Sequence, residues 1–304
     1  MTSASTSTLM QGLTDTQRYI FDTNGYIILR NVFSKAEVEA ANAAIDAHVD
    51  SDLHERTGQL RCSTLYGRVS DGLAGDGKTG RFDMGGMLAW APPHCTPFRD
   101  ILAHPKLAPV LNNLCGDGYR LDHSPLLLVM EKGSEGHTLH GGAVQENGEP
   151  AWNLQYDCRN GQIRNQLLTL TMQLTDTQPG DGGFCIMPGS HKSQFPVPSS
   201  LADYSSHTEY VVQPTPQAGD ALIFTEACLH GTLPWTSARQ RRTVIYRFAP
   251  ATAAYGRGYL PAWPAPMTAG MSAAQLAVME PPYTLRMSRP TLRVRQVGGE
   301  GVDE

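Results

Sequence analysis

Apolar positions change their rhythm along this chain of 304 residues. Near the start, Thr14-Asp15-Thr16-Gln17 has the form of a capping box, and the helix it opens should stop at Asn24-Gly25. Tyr26-Ile27-Ile28-Leu29 then reads as a strand, being β-branched and aromatic. Ser34-Lys35-Ala36-Glu37 caps a second helix running to about His48, with Val38 and Ile45 on one face. Later the runs shorten: 126–130, 167–174, 184–187, 221–225 and 243–248 are apolar or alternating. Gly-Asp at 180–181, Pro-Gly at 188–189 and Gly-Asp at 219–220 punctuate them as turns. Two helices followed by many short strands predict a mainly β protein with flanking helices, its strands curled into a barrel or jelly roll. Residues 51–100, with DGLAGDGKTGRFDMGG, are irregular and suit either a lid or a disordered excursion. The organisation expected is one domain over 1–304: a helix-strand-helix at 13–50, a loop-rich lid at 51–100, a β core at 120–250 and a C-terminal extension at 251–304 whose last stretch, RVRQVGGEGVDE, frays.

Composition narrows the function classes. The 24 basic and 29 acidic residues give a net charge of −5, and no basic helix or DNA-binding motif is present, so duplex nucleic acid is not an expected partner. The opening MTSASTSTLMQG has neither a basic n-region nor an apolar h-region. No run approaches the ~18 apolar residues that span a bilayer, so a cytoplasmic location without a membrane partner is expected. Six cysteines, at 62, 95, 115, 158, 185 and 228, are scattered without a C-x-x-C pair, which suits reduced thiols. The oligomeric state leaves no signal.

Two segments carry candidate chemistry. HTLHGGAVQ, at 137–145, looks like half of an iron site, in which a histidine, a carboxylate two positions on and a distant second histidine hold iron(II) for oxygen chemistry. Here Gly141 and Gly142 follow His140, and no acid stands in the expected place. In GDALIFTEACLHGTLPWTSARQRRTVIYRF, at 219–248, a Gly-Asp turn enters an apolar strand with His230 at its mouth, and Arg239, Arg241 and Arg242 precede another strand. If that strand is extended, residues 241, 243, 245 and 247 share one face and 242, 244, 246 and 248 the other. An arginine inside a barrel requires a buried anion, and a dicarboxylate would satisfy it bidentately. Taken alone, the three arginines suit a solvated cluster at a strand start better.

Together these segments resemble the phytanoyl-CoA dioxygenase-like branch of the iron(II)/2-oxoglutarate oxygenases. LTDTQRYIFDTNGYIILRNVFSKAEVEAANAAID is similar to that family's N-terminal helix-strand-helix. DGGFCIMPGSHK is similar to its Gly-rich turn and Pro-Gly-Ser-His-Lys signature, and 219–248 to its Gly-Asp strand, distal histidine and oxoglutarate arginine. The resemblance covers most of residues 13–250. It implies a double-stranded β-helix core of the jelly-roll or cupin-like kind, with Fe(II), 2-oxoglutarate and O2 as cofactors. It further implies His140 and His230 as iron ligands and Arg241 as the partner of the oxoglutarate distal carboxylate, with Arg242 as the competing choice.

Gly142 is the departure from that pattern. Removing the carboxylate subtracts a charge and opens a coordination position that chloride can fill. This arrangement resembles the halogenases of the family, in which Ala or Gly replaces the acid and a halide, not hydroxyl, is delivered to a substrate carbon. The expected activity is therefore halogenase chemistry at His140, Gly142 and His230, with chloride as a further cofactor. A hydroxylase whose acid comes from elsewhere (Glu146, Glu149 or Asp157) and a catalytically silent family member are the alternatives. His207-Thr208-Glu209 is a weaker rival for the proximal ligand, and His137, three residues before His140, should face the opposite side of an alternating strand. His191, in the signature turn, is expected to bond backbone and shape that loop. Cations at Arg56, Arg61, Arg68, Lys78, Arg81, Arg159 and Arg164 fall in segments expected to overhang the barrel mouth, and Tyr66, Trp90, Trp152 and Tyr156 could stack a base. These features suit a small anionic substrate such as a purine nucleotide, for instance a deoxyadenosine monophosphate of a nucleoside-antibiotic pathway.

Overall fold

The computed structural model describes residues 12–55, 70–255 and 263–283. Helix α1 (Asp15–Asn24) begins where the sequence places it: the Thr14 hydroxyl accepts from the Gln17 N–H, and the Gln17 side chain accepts from the Thr14 N–H. Gly25, at φ 77°, ends it in the left-handed conformation that favours glycine. β1 (Tyr26–Leu29) follows, then α2 (Lys35–Glu55), opened by the reciprocal Ser34 and Glu37 bonds. α2 continues past His48 because no Gly or Pro interrupts residues 49–55.

The β strands are β2 (Phe82–Met84), β3 (Arg120–Met130), β4 (His137–His140), β5 (Tyr156–Arg159), β6 (Gln162–Asn165), β7 (Leu168–Gln173), β8 (Gly183–Ile186), β9 (Ala221–Thr225), β10 (His230–Leu233) and β11 (Arg241–Ala249). A six-stranded antiparallel sheet runs β1-β9-β7-β11-β3-β2, a three-stranded one β4-β10-β8, and β5-β6 form a hairpin. The two larger sheets enclose a cavity between them, the jelly-roll arrangement expected of the core.

Strict alternation divides the work of the large sheet. On β11, Val244, Tyr246 and Phe248 face outward into the principal hydrophobic core, joined by Leu127 and Val129 of β3, Leu168, Leu170 and Met172 of β7, and Ala221 and Ile223 of β9. Phe21, Ala41 and Ile45 of the two N-terminal helices pack on that outer face. The inward positions are far more polar: Arg241, Thr243 and Arg247 on β11, and Thr171 and Gln173 on β7, line the cavity. The principal core therefore lies between sheet and helices, not inside the barrel.

The region expected to be a loop-rich lid is largely packed structure where it is described. β2 adds to the sheet edge beside β3, and Phe82, Met84, Met87, Leu88 and Phe98 are buried in the principal core. Those apolar side chains override the surrounding Gly and Pro. Residues 56–69, with Arg56, Arg61, Tyr66 and Arg68, lie outside the described residues, as does the RVRQVGGEGVDE end. The C-terminal helices Ala265–Thr268 and Ala273–Val278 are docked on the body of the protein: Arg99 donates to the carbonyls of Leu88, Pro266 and Ala269. Among the described residues, no helix is long and apolar enough to cross a membrane, and the described cysteines are free.

Candidate active site

Register brings the two histidines together. His140 and His230 are direct cross-strand partners on β4 and β10, and their rings lie 4.3 Å apart between centroids. Each ring is held the same way. Nδ1 of His140 donates to the Thr138 carbonyl at 3.0 Å, and Nδ1 of His230 donates to the Cys228 carbonyl at 2.8 Å. A carbonyl can only accept, so in the neutral ring the single proton sits on Nδ1 and Nε2 keeps its lone pair. This is how a protein fixes imidazoles as metal ligands.

His137 departs from the expected alternation. Between the pairs His230–His140 and Thr232–His137, one residue of β10, Gly231, opposes two of β4, Thr138 and Leu139, a bulge that turns His137 onto the cavity wall beside His140, 5.1 Å between ring centroids.

Across the cavity, Arg241 and Arg242 divide as alternation demands. Arg241 points inward and is buried. Its Nη1 touches the Met130 sulfur at 3.2 Å, and it forms no ion pair among the described residues. Burial, with Arg81 nearby, lowers its pKa to about 10. Arg242 turns the other way, toward Asp46, Asn42 and Gln240. The inward hydroxyls and amide form a chain, Thr243 to Gln173 to Thr171 to the Leu222 carbonyl, each bond between 2.7 and 3.1 Å.

The sequence reading missed Glu226. It belongs to the turn between β9 and β10, four residues before His230, and is 6% exposed. Its Oε1 accepts from Arg247 Nε at 2.8 Å and from the Thr169 hydroxyl. Its Oε2 stands 3.5 Å from Nε2 of His230. Burial alone would raise this carboxyl, but Arg247, His230 and Thr169 outweigh it and lower its pKa to about 2. Burial and the neighbouring His140 push His230 down to about 3, so the ring is neutral at ordinary pH. Among the described residues, no group of three His, Cys, Asp or Glu is arranged to hold a metal ion, so a carboxylate would join the two histidines only after a side-chain shift. A single charged residue in the apolar run ALIFTEACLH was the available signal for Glu226.

The other expected site residues are spread about. Gly142 is buried at φ 98°, and its N–H donates to the Ala227 carbonyl. Gly141, at φ 105°, has no room for a side chain: a Cβ there would lie 2.2 Å from the Cys228 carbonyl oxygen. Arg81 reaches the cavity but is paired with Asp83 at 2.8 Å. Tyr156, Arg159 and Arg164 are not among the cavity-lining residues. Tyr156 bonds Asp22 and packs on His191, exposed Arg159 pairs with Asp157, and Arg164 bonds the Ile163 carbonyl. They sit on the β5–β6 hairpin, which lies against α1 and the helix Ala108–Cys115, so the basic rim expected from them does not form at the cavity. Glu146, Glu149 and Asp157 are exposed and off the cavity, and His207 lies on a surface turn. His191 hydrogen-bonds the Asp22 carbonyl, anchoring the signature turn.

The cavity measures about 340 Å³. Paired imidazoles at one wall and a buried guanidinium at the other suit a metal ion and a dianion between them. The donor set fits iron(II) and 2-oxoglutarate.

Solved structures similar to this chain include HygX from Streptomyces hygroscopicus with nickel and 2-oxoglutarate bound, 22% identical over 84% of this chain and 94% of that one, TM-score 0.63. EctD from S. alaskensis with 2-oxoglutarate and 5-hydroxyectoine is 19% identical over 90% and 89%, TM-score 0.57. The α-ketoglutarate-dependent carbocyclase SnoK from nogalamycin biosynthesis is 18% identical over 81% and 88%, TM-score 0.53. These likenesses are of fold. No curated protein matches the chain. The sequence profile of the phytanoyl-CoA dioxygenase family matches residues 21–243, and the chain belongs to that family of iron(II)/2-oxoglutarate-dependent oxygenases.

Proposed function

We propose that this protein oxidises an unactivated C–H bond of a small polar molecule, with iron(II) on His140 and His230 and 2-oxoglutarate anchored by Arg241. The observation that carries this reading is the cavity itself, with two Nδ1-tethered imidazoles on the small sheet and, on the large one, an inward guanidinium without an ion-pair partner among the described residues. Iron(II) with 2-oxoglutarate supplies the activation of O2 and the removal of a substrate hydrogen atom. The balance for hydroxylation is substrate C–H, O2 and 2-oxoglutarate giving C–OH, succinate and CO2. Arg241 holds the distal carboxylate, and the Thr243–Gln173–Thr171 chain fixes the wall along which the co-substrate lies. His140 and His230 should be indispensable. Replacing either by Ala should abolish iron-dependent succinate formation while circular dichroism stays native, and normal turnover by His140→Ala would overturn the assignment.

Chlorination is the second reading, and Gly142 favours it, since no side chain there competes with a halide for the metal. Its balance is substrate C–H, chloride, a proton, O2 and 2-oxoglutarate giving C–Cl, succinate, CO2 and water. Mass spectrometry of products formed with and without chloride separates the two. A chlorinated product that requires chloride supports the second reading, and hydroxylation at full rate without halide removes it. For the substrate, Arg81 is the one cation of the expected basic rim that reaches the cavity among the described residues, and Asp83 neutralises it. That pair suits a polar molecule carrying both donors and acceptors better than a phosphorylated nucleoside. HygX has been solved with hygromycin B bound and EctD with 5-hydroxyectoine.

A further inference from the structure

We propose that Glu226 supplies the carboxylate ligand of the iron site, replacing from the neighbouring turn the acid that position 142 does not carry. The inference rests on the reading of His140 and His230 as iron ligands. Its first support is the contact between Glu226 Oε2 and His230 Nε2, 3.5 Å apart in a buried setting. The Nδ1 proton of His230 is committed to the Cys228 carbonyl. With the ring neutral, Nε2 and Oε2 are two acceptors facing one another, an arrangement that a cation between them satisfies. An ion there would be bound by both. Two donors each about 2.1 Å from one metal lie about 3.0 Å apart at a right angle and about 4.2 Å apart in line, so the observed spacing falls within the range for shared coordination.

The division of labour within the carboxylate is the second support. Oε1 is occupied by Arg247 and Thr169, which fix the group's orientation, while Oε2 is directed at the imidazole. Metal-ligating carboxylates are commonly held this way by hydrogen bonds to the other oxygen.

The backbone supplies the third. The N–H of Gly142 donates to the Ala227 carbonyl, and a Cβ on Gly141 would lie 2.2 Å from the backbone carbonyl oxygen of Cys228 and 2.8 Å from that of Glu226. The two glycines thus let the end of β4 settle directly on the Glu226–Cys228 turn. At φ 98°, position 142 is also unsuited to an aspartate, and a side chain there would start 3.2 Å from Val197. The loss of the acid from β4 and the presence of one on the adjoining turn are parts of one arrangement, and it disfavours chloride because an anion already occupies the site.

The test is a crystal structure of the full chain with Ni(II) and 2-oxoglutarate, joined to Co(II) titrations of the wild type and Glu226→Gln. The expected structure has a Glu226 oxygen within about 2.0–2.2 Å of the metal together with Nε2 of both histidines. In solution, Glu226→Gln should weaken Co(II) binding by about a hundredfold and change the visible Co(II) spectrum, because one anionic oxygen leaves the coordination sphere. Metal on the two histidines with both Glu226 oxygens beyond about 3 Å, or a Co(II) spectrum unchanged by Glu226→Gln, would overturn this inference while leaving the proposed function standing. Metal bound away from His140 and His230 would instead overturn the proposed function.

Discussion

At the scale of single residues, the chemistry depends on which way a few side chains point. Arg241→Ala should raise the 2-oxoglutarate concentration needed for half-maximal succinate formation, because a bidentate buried partner is lost at a cost of roughly 2–5 kcal/mol. Arg242→Ala should change it less than about threefold, since that guanidinium is engaged with Asp46 and Asn42 on the far face. Initial rates against co-substrate concentration check both, and the reverse ranking would invert the strand. Part of this was legible beforehand: period-two alternation separated the arginines, and the family resemblance pointed to both histidines. Glu226 was not, because a metal site is expected to show its acid two positions after a histidine, whereas this one comes from a turn whose proximity to His140 exists only in three dimensions. His137 was misjudged for a related reason: one extra residue in β4 reverses the face of everything before it.

At the scale of elements, turns do the positioning. The Gly219–Asp220 turn that launches β9 is organised by the Asp220 carboxylate, which accepts from Arg30, from the Asn31 N–H and from the Gln217 N–H at 2.6–3.0 Å. Asp220→Ala would take the shared acceptor from three partly exposed donors and should destabilise the protein by about 1–3 kcal/mol in urea unfolding. The signature turn is tied to α1 through His191, whose pKa burial lowers to about 4 despite its bond to the Asp22 carbonyl. The folded state therefore resists protonation that the unfolded chain accepts near 6.5. Between pH 6.5 and 4 the unfolded chain binds more protons, so stability must fall as pH falls across that window. His191→Gln, which retains a donor, should flatten that part of the stability–pH curve, and an unchanged slope would acquit His191. Helix starts and turn positions were legible because caps and Gly-Asp or Pro-Gly pairs are local signals. The packed character of 70–100 was not, because its apolar residues have no period of their own and acquire order only against β3 and the C-terminal helices.

For the molecule as a whole, distant segments are fastened by arginines reaching carbonyls. Arg99 bridges the carbonyls of Leu88, Pro266 and Ala269, so Arg99→Ala should release residues 263–283, seen as faster amide hydrogen exchange there with the β strands still protected. The jelly roll followed from the order of the elements, but the location of its main core did not, since alternation shows that a strand has two faces without saying which is the wetter. Neighbours on β3 make the distinction measurable. Leu127, buried on the outer face, should cost about 2–5 kcal/mol when cut to Ala, whereas Leu126, on the cavity wall, should cost much less. Thermal unfolding of the two variants checks it. The large sheet is in effect a supporting wall with a workshop on its inner side. Tools hung on the inside can be exchanged without weakening the wall, so a new substrate preference should be reachable through inward substitutions alone, at little expense in melting temperature.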